Sequence, residues 1–289
     1  MDYSTSFEHV TYNNTIGIVI TYNPGIVLSE NLSIITNLFG RIIIVDNHSR
    51  DCVVDYLRNI TLGFSNIEVI YLAENYGIAA GLNIGIKRAL GYKPRWIVTF
   101  DQDSCPYSQF LSYYNRALSM LDINTVGLLS CLFSDKKHLV EDEIRIKQKY
   151  SIITSGCLHN VEIFKSVGFY NEQLFIDGVD FDFCLRVAMA GFKTMQINQC
   201  LLHHHLGDPV YRKLFGIQIC STNHSTLRRY YMSRNHVYIM RKYFKKFPLF
   251  LLKKNISFLL VVLKVAYVEN CRLSKLSKIW QGIFDGFKM

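Results

Sequence analysis

Short apolar, β-branched runs alternate with helical periodicity through the first hundred residues. Thr15–Tyr22 (TIGIVITY), Arg41–Asp46 (RIIIVD), Ile67–Leu72 (IEVIYL) and Arg95–Asp101 (RWIVTFD) are continuous rather than alternating in hydrophobicity. That pattern predicts strands buried on both faces. Helical stretches near 29–39, 51–60 and 76–91 separate them. Strand–helix alternation predicts an α/β fold, with a mostly parallel central sheet flanked by helices. Beyond Leu121 the pattern predicts strands at Thr125–Ser130, Ser151–Ser155 and Lys193–Ile197, and helices at Val161–Val167 and Val179–Ala190. Charged residues 134–150 read as a surface loop or edge. From about 225, Tyr230, Val237, Met240, Phe244 and Phe247 recur at helical spacing, with Arg228, Arg241, Lys242, Lys245 and Lys246 largely off that stripe. This is the signature of a basic amphipathic helix. Asn255–Leu263 (NISFLLVVL) is apolar but shorter than the ~20 residues a membrane-spanning helix needs.

Charge divides the chain sharply. Residues 1–211 hold 16 Lys and Arg against 21 Asp and Glu; residues 212–289 hold 16 against 2, Glu269 and Asp285. The basicity therefore belongs to the C-terminal region, and it predicts contact with an anionic membrane or nucleic acid. The expected organisation is an α/β domain over 1–211 and a basic, amphipathic helical region over 212–289 at a membrane surface. Eight cysteines include no C-x-x-C pair and no zinc spacing, and Met1–Asn14 has no apolar signal segment. Reduced thiols in a cytoplasmic protein are expected.

Ligands of open α/β sheets bind beyond the carboxyl ends of the strands, so polar residues there are the first candidates. Asp101–Gln102–Asp103 follows a buried strand. Two carboxylates one residue apart repel unless compensated, and a divalent cation shared with a diphosphate resolves that cost. The alternative is a turn whose Asp caps the next helix, with Pro106 in its first turn. Asp177, Asp180 and Asp182 cluster at a helix start among Phe175, Ile176, Phe181 and Phe183. They supply a cap, dipole partners and an ion pair to Arg186, or a general base of raised pKa. Asp46 ends the second strand and can accept hydrogen bonds from a base or ribose, or belong to a turn. Asn75 and Gly77 open a helix and can approach a phosphate or sugar, whereas Gly81 and Gly85 read as close packing. Neither a Walker A motif nor a G-x-G-x-x-G fingerprint occurs. Of the adjacent His203, His204 and His205, one or two can face a metal or diphosphate.

Taken in order, TYNP (21–24), VDNHS (45–49), ENYGIAAGLNIGI (74–86), FDQDS (100–104), the 155–186 segment and HHHLGD (203–208) resemble the family-two glycosyltransferases of GT-A fold. The likeness is strongest to their bacterial rhamnosyltransferase-like branch and spans about residues 15–235. It implies transfer of a sugar from a nucleotide diphosphate to an acceptor hydroxyl with inversion. It further implies that Thr21, Tyr22, Asn23, Asp46, Asn75, Gly77 and Asp101 bind the nucleotide sugar. Asp103 and His204 would hold Mg2+ or Mn2+, and Asp180 would be the general base. The family's Glu-Asp pair falls on Val179–Asp180, so the first acid is missing. The donor implied is dTDP-rhamnose, with a UDP-sugar as the alternative. The acceptor is a lipid-linked glycan of bacterial polysaccharide, reached at the inner face of the inner membrane. A purely nucleic-acid-binding role for the basic tail explains its charge but not the acidic strand ends, so no nucleic acid is expected.

Overall fold

A computed structural model describes residues 9–134, 143–204, 209–214 and 216–289. The chain divides into two compact units: Met1–Glu172 with Phe183–His205, and Gln173–Asp182 with Leu206–Met289.

The first unit is built on one mixed sheet. Its N-terminal half is β1 (Thr15–Thr21), α1 (Val27–Leu38), β2 (Arg41–Asp46), α2 (Asp51–Thr61), β3 (Ile67–Tyr71), α3 (Gly77–Leu90) and β4 (Trp96–Asp101). These match the periodicity closely. Strands β1, β2 and β4 are buried almost throughout, as uninterrupted Ile and Val runs require. Beyond them come β5 (Ser104–Pro106), α4 (Phe110–Leu118), β6 (Val126–Ser134), β7 (Ile146–Gln148), β8 (Cys157–Asn160) and α5 (Ile163–Ser166). Helix α6 (Val179–Met189), which belongs to this unit from Phe183 onward, and β9 (Lys193–His204) follow. The strand order is β3-β2-β1-β4-β8-β6-β9-β5, with β7 also on β9. The β3-β2-β1-β4 portion is parallel, and β8 joins β4 antiparallel. Chain direction reverses about β1, so the carboxyl ends of β1 and β4 flank a topological switch point.

Several expectations are corrected. Ser151–Ser155 is irregular, and the strand lies at Cys157–Asn160 instead. Residues 151–155 instead supply hydrogen-bond partners to β4, Thr154 through its carbonyl and Ser155 through its hydroxyl. Pro106 ends β5 rather than opening a helix. The three-residue β5 was too short to show a period. Of the 134–150 segment, residues 146–148 form an edge strand and 135–142 lie outside the described residues. The core under the sheet is an aromatic ladder, Phe39–Phe100–Phe110–Tyr114, with centroids 5.8, 5.8 and 4.3 Å apart. Gly85 and Gly81 press α3 onto Ile18 and Ile20 of β1, the close packing expected of them.

The second unit has a β-hairpin, β10 (Val210–Leu214) with β11 (Ile217–Ser221), then α7 (Thr226–Tyr243), α8 (Pro248–Tyr267) and α9 (Arg272–Lys288). The stripe read as one helix breaks: α7 stops at Tyr243, and Phe244 and Phe247 lie outside it before Pro248 opens α8. Its buried residues are Arg229, Ser233, Asn235, Ile239 and Tyr243. Helix α9 lays Gly282 and Gly286 against the α7 backbone at Tyr230 and Arg234, an approach that a Cβ would block. Beneath lies a buried ionic cluster in which Glu269 pairs with Arg229 and Lys275. Burial opposes its ionisation, but hydrogen bonds from Ser221, Arg229 and Lys275 outweigh that and hold the carboxyl below its usual range. All eight cysteines are free thiols. Among the described residues no helix is long and apolar enough to cross a membrane.

Candidate active site

In the first unit, the polar strand ends are tied into one network. Asp46 is 1% exposed. Its Oδ1 accepts from the Thr21 hydroxyl (2.8 Å) and the Ser49 hydroxyl (2.6 Å), and its Oδ2 accepts from the Ser49 backbone N–H (2.9 Å). The same Ser49 oxygen receives the Asn23 N–H at 2.6 Å, and Asn23 Oδ1 receives Arg50. Asn23 sits at φ 47°, a conformation Asn tolerates better than most residues. Tyr22, about half exposed, donates its backbone N–H to Gln102 Oε1 at 2.7 Å. That bond joins the end of β1 to the Asp101–Asp103 turn.

A second strand of the network reaches α3. Asn75 Oδ1 accepts from Asn47 Nδ2 and from Gly77 N–H, each at 3.0 Å. Gly77 has φ 85°, which a side chain would strain. With Oδ1 fixed twice, the Asn75 amide plane is set, and its Nδ2 has no protein acceptor among the described residues. This half-buried NH2 is a ready donor to a ligand oxygen.

Asp101 and Asp103 are both half-buried, at the turn between β4 and β5. The turn is braced from below: Asp101 N–H donates to Ser155 Oγ (3.1 Å), which is 2.7 Å from buried Ser104 Oγ. In the β5–β9 ladder, Ser104 pairs with His204 and Cys105 with His203. The late histidines therefore run in register beside the acidic turn. His205 lies outside the described residues. No group of three or more His, Cys, Asp or Glu is placed to hold a metal among the described residues. The set that is present, two carboxylates beside a histidine-bearing strand, suits an ion that completes its shell with substrate phosphates.

Asp180 belongs to the second unit, with Asp177 and Asp182. There the three acids separate by role. Asp177 forms a forked pair with Arg228, at 3.0 and 3.1 Å. Asp182 is fully buried and accepts from Tyr243 (2.6 Å) and Lys242 (3.2 Å). Asp180 stands half-buried in the first turn of α6, its Oδ1 receiving the N–H of Phe181 at 2.8 Å. The turn before it is strained, with Phe175 and Asp177 at φ 62° and Gly178 at 77°. Buried Asn235 holds it, its Nδ2 donating to the carbonyls of Leu174, Ile176 and Asp177 at 2.7–2.9 Å. Arg234 adds a bond to the Gln173 carbonyl at 2.5 Å. Burial, with Arg228 and Arg229 nearby, pushes the His224 pKa down to about 4 and keeps that ring neutral.

Sequence reading gave no role to Ser49, Ser104 and Ser155, whose type signals only turns, or to Gln102 between the two acids. It also missed Asn235. Asn in the middle of a helix is a poor local choice, and that mismatch was the available signal.

The family described as Glycosyl transferase family 2 matches residues 18–117. The dTDP-rhamnosyl transferase RfbF of Shigella flexneri is 30% identical over 96% of both chains. A mannosyltransferase of Pyrobaculum calidifontis, solved with GDP-Man and Mn2+, is similar in fold with a TM-score of 0.56 at 16% identity, over 97% of this chain and 77% of that one. S. aureus TarS 1–349 is similar at a TM-score of 0.53 and 12% identity, over 96% and 72%.

Proposed function

This chain belongs to glycosyl transferase family 2 and is a rhamnosyltransferase-like glycosyltransferase of GT-A fold; from that premise we propose that it transfers L-rhamnose from dTDP-rhamnose to a hydroxyl of a lipid-linked oligosaccharide in bacterial O-antigen or capsule synthesis. The observation that carries this reading is the hydrogen-bonded network joining Thr21, Asp46, Asn75 and the Asp101–Asp103 turn at the strand ends. The choice of dTDP-rhamnose is supported by the RfbF relative.

Each residue has a chemical task. Asp46 Oδ2 takes one protein hydrogen bond and has a second lone pair for a nucleobase imide N–H. Thr21, Tyr22 and Asn23 frame that base and its ribose. Gly77 shapes the turn that presents Asn75, whose NH2 donates to a sugar or diphosphate oxygen. Asp103 and His204 would hold Mg2+ or Mn2+, with Asp101 beside them on the nucleotide sugar. Such an ion, when bound, supplies positive charge to the departing diphosphate. Asp180 accepts the proton of the acceptor hydroxyl as that oxygen attacks the anomeric carbon, and inversion follows from a single displacement. The enzyme works at the cytoplasmic face of the inner membrane, held peripherally by residues 212–289.

The test is thermal stability with dTDP, UDP and GDP, each with and without Mn2+ or Mg2+. A ligand at 100 times its Kd stabilises by about 2.7 kcal/mol, a readily visible shift. Metal-dependent stabilisation by dTDP above UDP is expected. A preference for UDP would replace the donor, and no shift with any nucleotide would overturn the site.

A further inference from the structure

Helix α8 is twenty residues long, yet among its residues only Leu251 and Val265 are buried. Leu249, Leu252, Ile256, Leu259, Leu260 and Leu263 are each exposed by 49–77%. At 3.6 residues per turn all six fall within an arc of about 100°. Helix α9 repeats the arrangement: Leu273, Trp280, Phe284 and Phe287 are exposed by 58–83% along a still narrower arc. Contiguous exposed apolar surface of this kind marks an interaction face.

A groove of about 420 Å³ lies among α7, α8 and α9, walled by Val237, Met240, Phe244, Leu259, Ile283 and Phe287. Leu259 and Phe287 belong to the two exposed stripes, so the groove is continuous with both. Arg241 stands in its wall. Its Nη1 is fixed by the carbonyls of Gly286 (3.0 Å) and Phe287 (2.5 Å), and its Nε and Nη2 have no protein acceptor among the described residues.

Charge selects the occupant. Both acids of residues 212–289 are committed: Glu269 to Arg229 and Lys275, and Asp285 to Tyr230 and Lys288. Around the stripes Lys245, Lys246, Lys253, Lys264, Arg272 and Lys278 are exposed. Two copies meeting through this face would bring like charges together, whereas an anionic bilayer complements both its charge and its apolar stripes.

We propose that the α8 and α9 stripes enter an anionic bilayer, and that the groove takes one acyl chain of an anionic phospholipid whose phosphate pairs with Arg241. This rests on the membrane location proposed above and adds the site, the ligand class and the headgroup contact.

The chain reports on itself, because it has two tryptophans: Trp96 is fully buried and Trp280 is 60% exposed on the α9 stripe. With full-length protein and phosphatidylglycerol/phosphatidylethanolamine vesicles, Trp280 emission should shift to the blue and be quenched by acyl-brominated lipid. Phosphatidylcholine vesicles should leave it unchanged. Trp280→Phe should abolish the signal while vesicle sedimentation persists. The neutral pair Ile256→Gln with Leu260→Gln should weaken vesicle binding at least tenfold. Native mass spectrometry should find one phosphatidylglycerol on the parent; Met240→Trp, which fills the groove, should still sediment with vesicles but carry none. Arg241→Gln should lose that lipid's headgroup selectivity.

An unquenched Trp280, parent-like binding by the stripe variant, or lipid retained by Met240→Trp would each overturn the proposal. Conversion of a dimer to a monomer by the stripe variant would also overturn it, in favour of self-association. Nucleotide stabilisation measured on the same preparations separates the two readings. Vesicle insertion without nucleotide binding leaves this surface standing and removes the donor site; the reverse removes the surface alone.

Discussion

The strand-end network of the first unit and the acid-bearing turn of the second solve the same problem by different means. Each holds carboxylates in fixed positions. In the first, short side chains do it locally: Ser49, three residues from Asp46, makes two of its three hydrogen bonds. In the second, Asp177 and Asp182 are satisfied by Arg228, Lys242 and Tyr243, 51–61 residues further along the chain. Strained turns without local support persist only when tertiary contacts over-determine them. The contrast teaches that Asp46 is fixed mainly by its near neighbour Ser49, whereas the acid turn, like the Asp101–Asp103 turn braced by Ser155 54 residues further on, is set at long range, so mutations should affect them differently.

The largest expected effect falls on the acid turn. Asp180→Asn should lower turnover by ~10²–10⁴-fold, the usual scale of general-base loss. Stabilisation by dTDP should be unaffected, and a variant that also lost dTDP binding would erase the difference between the two regions. Next comes Asn235→Ala, which touches no substrate group in this account and acts through the turn. It removes the donor shared by the carbonyls of Leu174, Ile176 and Asp177, at about 1–3 kcal/mol of stability. Its kcat should drop about tenfold with the donor KM unchanged, and Asn235→Gln should not fully rescue it, because the longer arm displaces the amide. A parent-like kcat would reduce Asn235 to a merely structural residue.

A smaller effect should appear as pH falls. His159 is buried, with Nδ1 at the Ile97 carbonyl and Nε2 at the Tyr170 hydroxyl, and burial lowers its pKa to about 4 from 6.5. A carbonyl only accepts, so Nδ1 carries the proton and Nε2 accepts from Tyr170. The unfolded chain protonates this ring first. Stability is therefore complete above pH 6.5 and declines by up to ~1.4 kcal/mol per pH unit as pH falls towards 4. Glu269 works in the same direction at lower pH. Its carboxyl is held below 4.5, so its contribution is intact above that value and lost as pH drops through the folded pKa. Denaturation midpoints between pH 7 and 4 would show the decline, and His159→Gln should flatten its upper part. The smallest effect expected is from Ser155→Ala. It removes the brace under Asp101 and should weaken dTDP stabilisation a few-fold without altering the acid turn.

Legibility followed the same division. Strands β1, β2 and β4 were readable because doubly buried strands are written as unbroken Ile and Val runs. The acids and amides at their ends stood out because polar residues there break those runs. The β5 and β8 strands were not readable, being too short to show a period. The end of α7 was misplaced because Phe244 and Phe247 continue its spacing while Pro248 breaks its backbone. Asn235 and the Arg228–Asp177 pair were hidden because their partners lie dozens of residues away, and spacing cannot report such contacts.

The central claim is a division of labour between Asp103 and Asp180, and calorimetric titration of dTDP into the parent, Asp103→Asn and Asp180→Asn, with and without Mn2+, tests it most directly. The account predicts a parent-like, Mn2+-dependent affinity for Asp180→Asn and an affinity indifferent to Mn2+ for Asp103→Asn. Equal loss of donor affinity in both variants would contradict it.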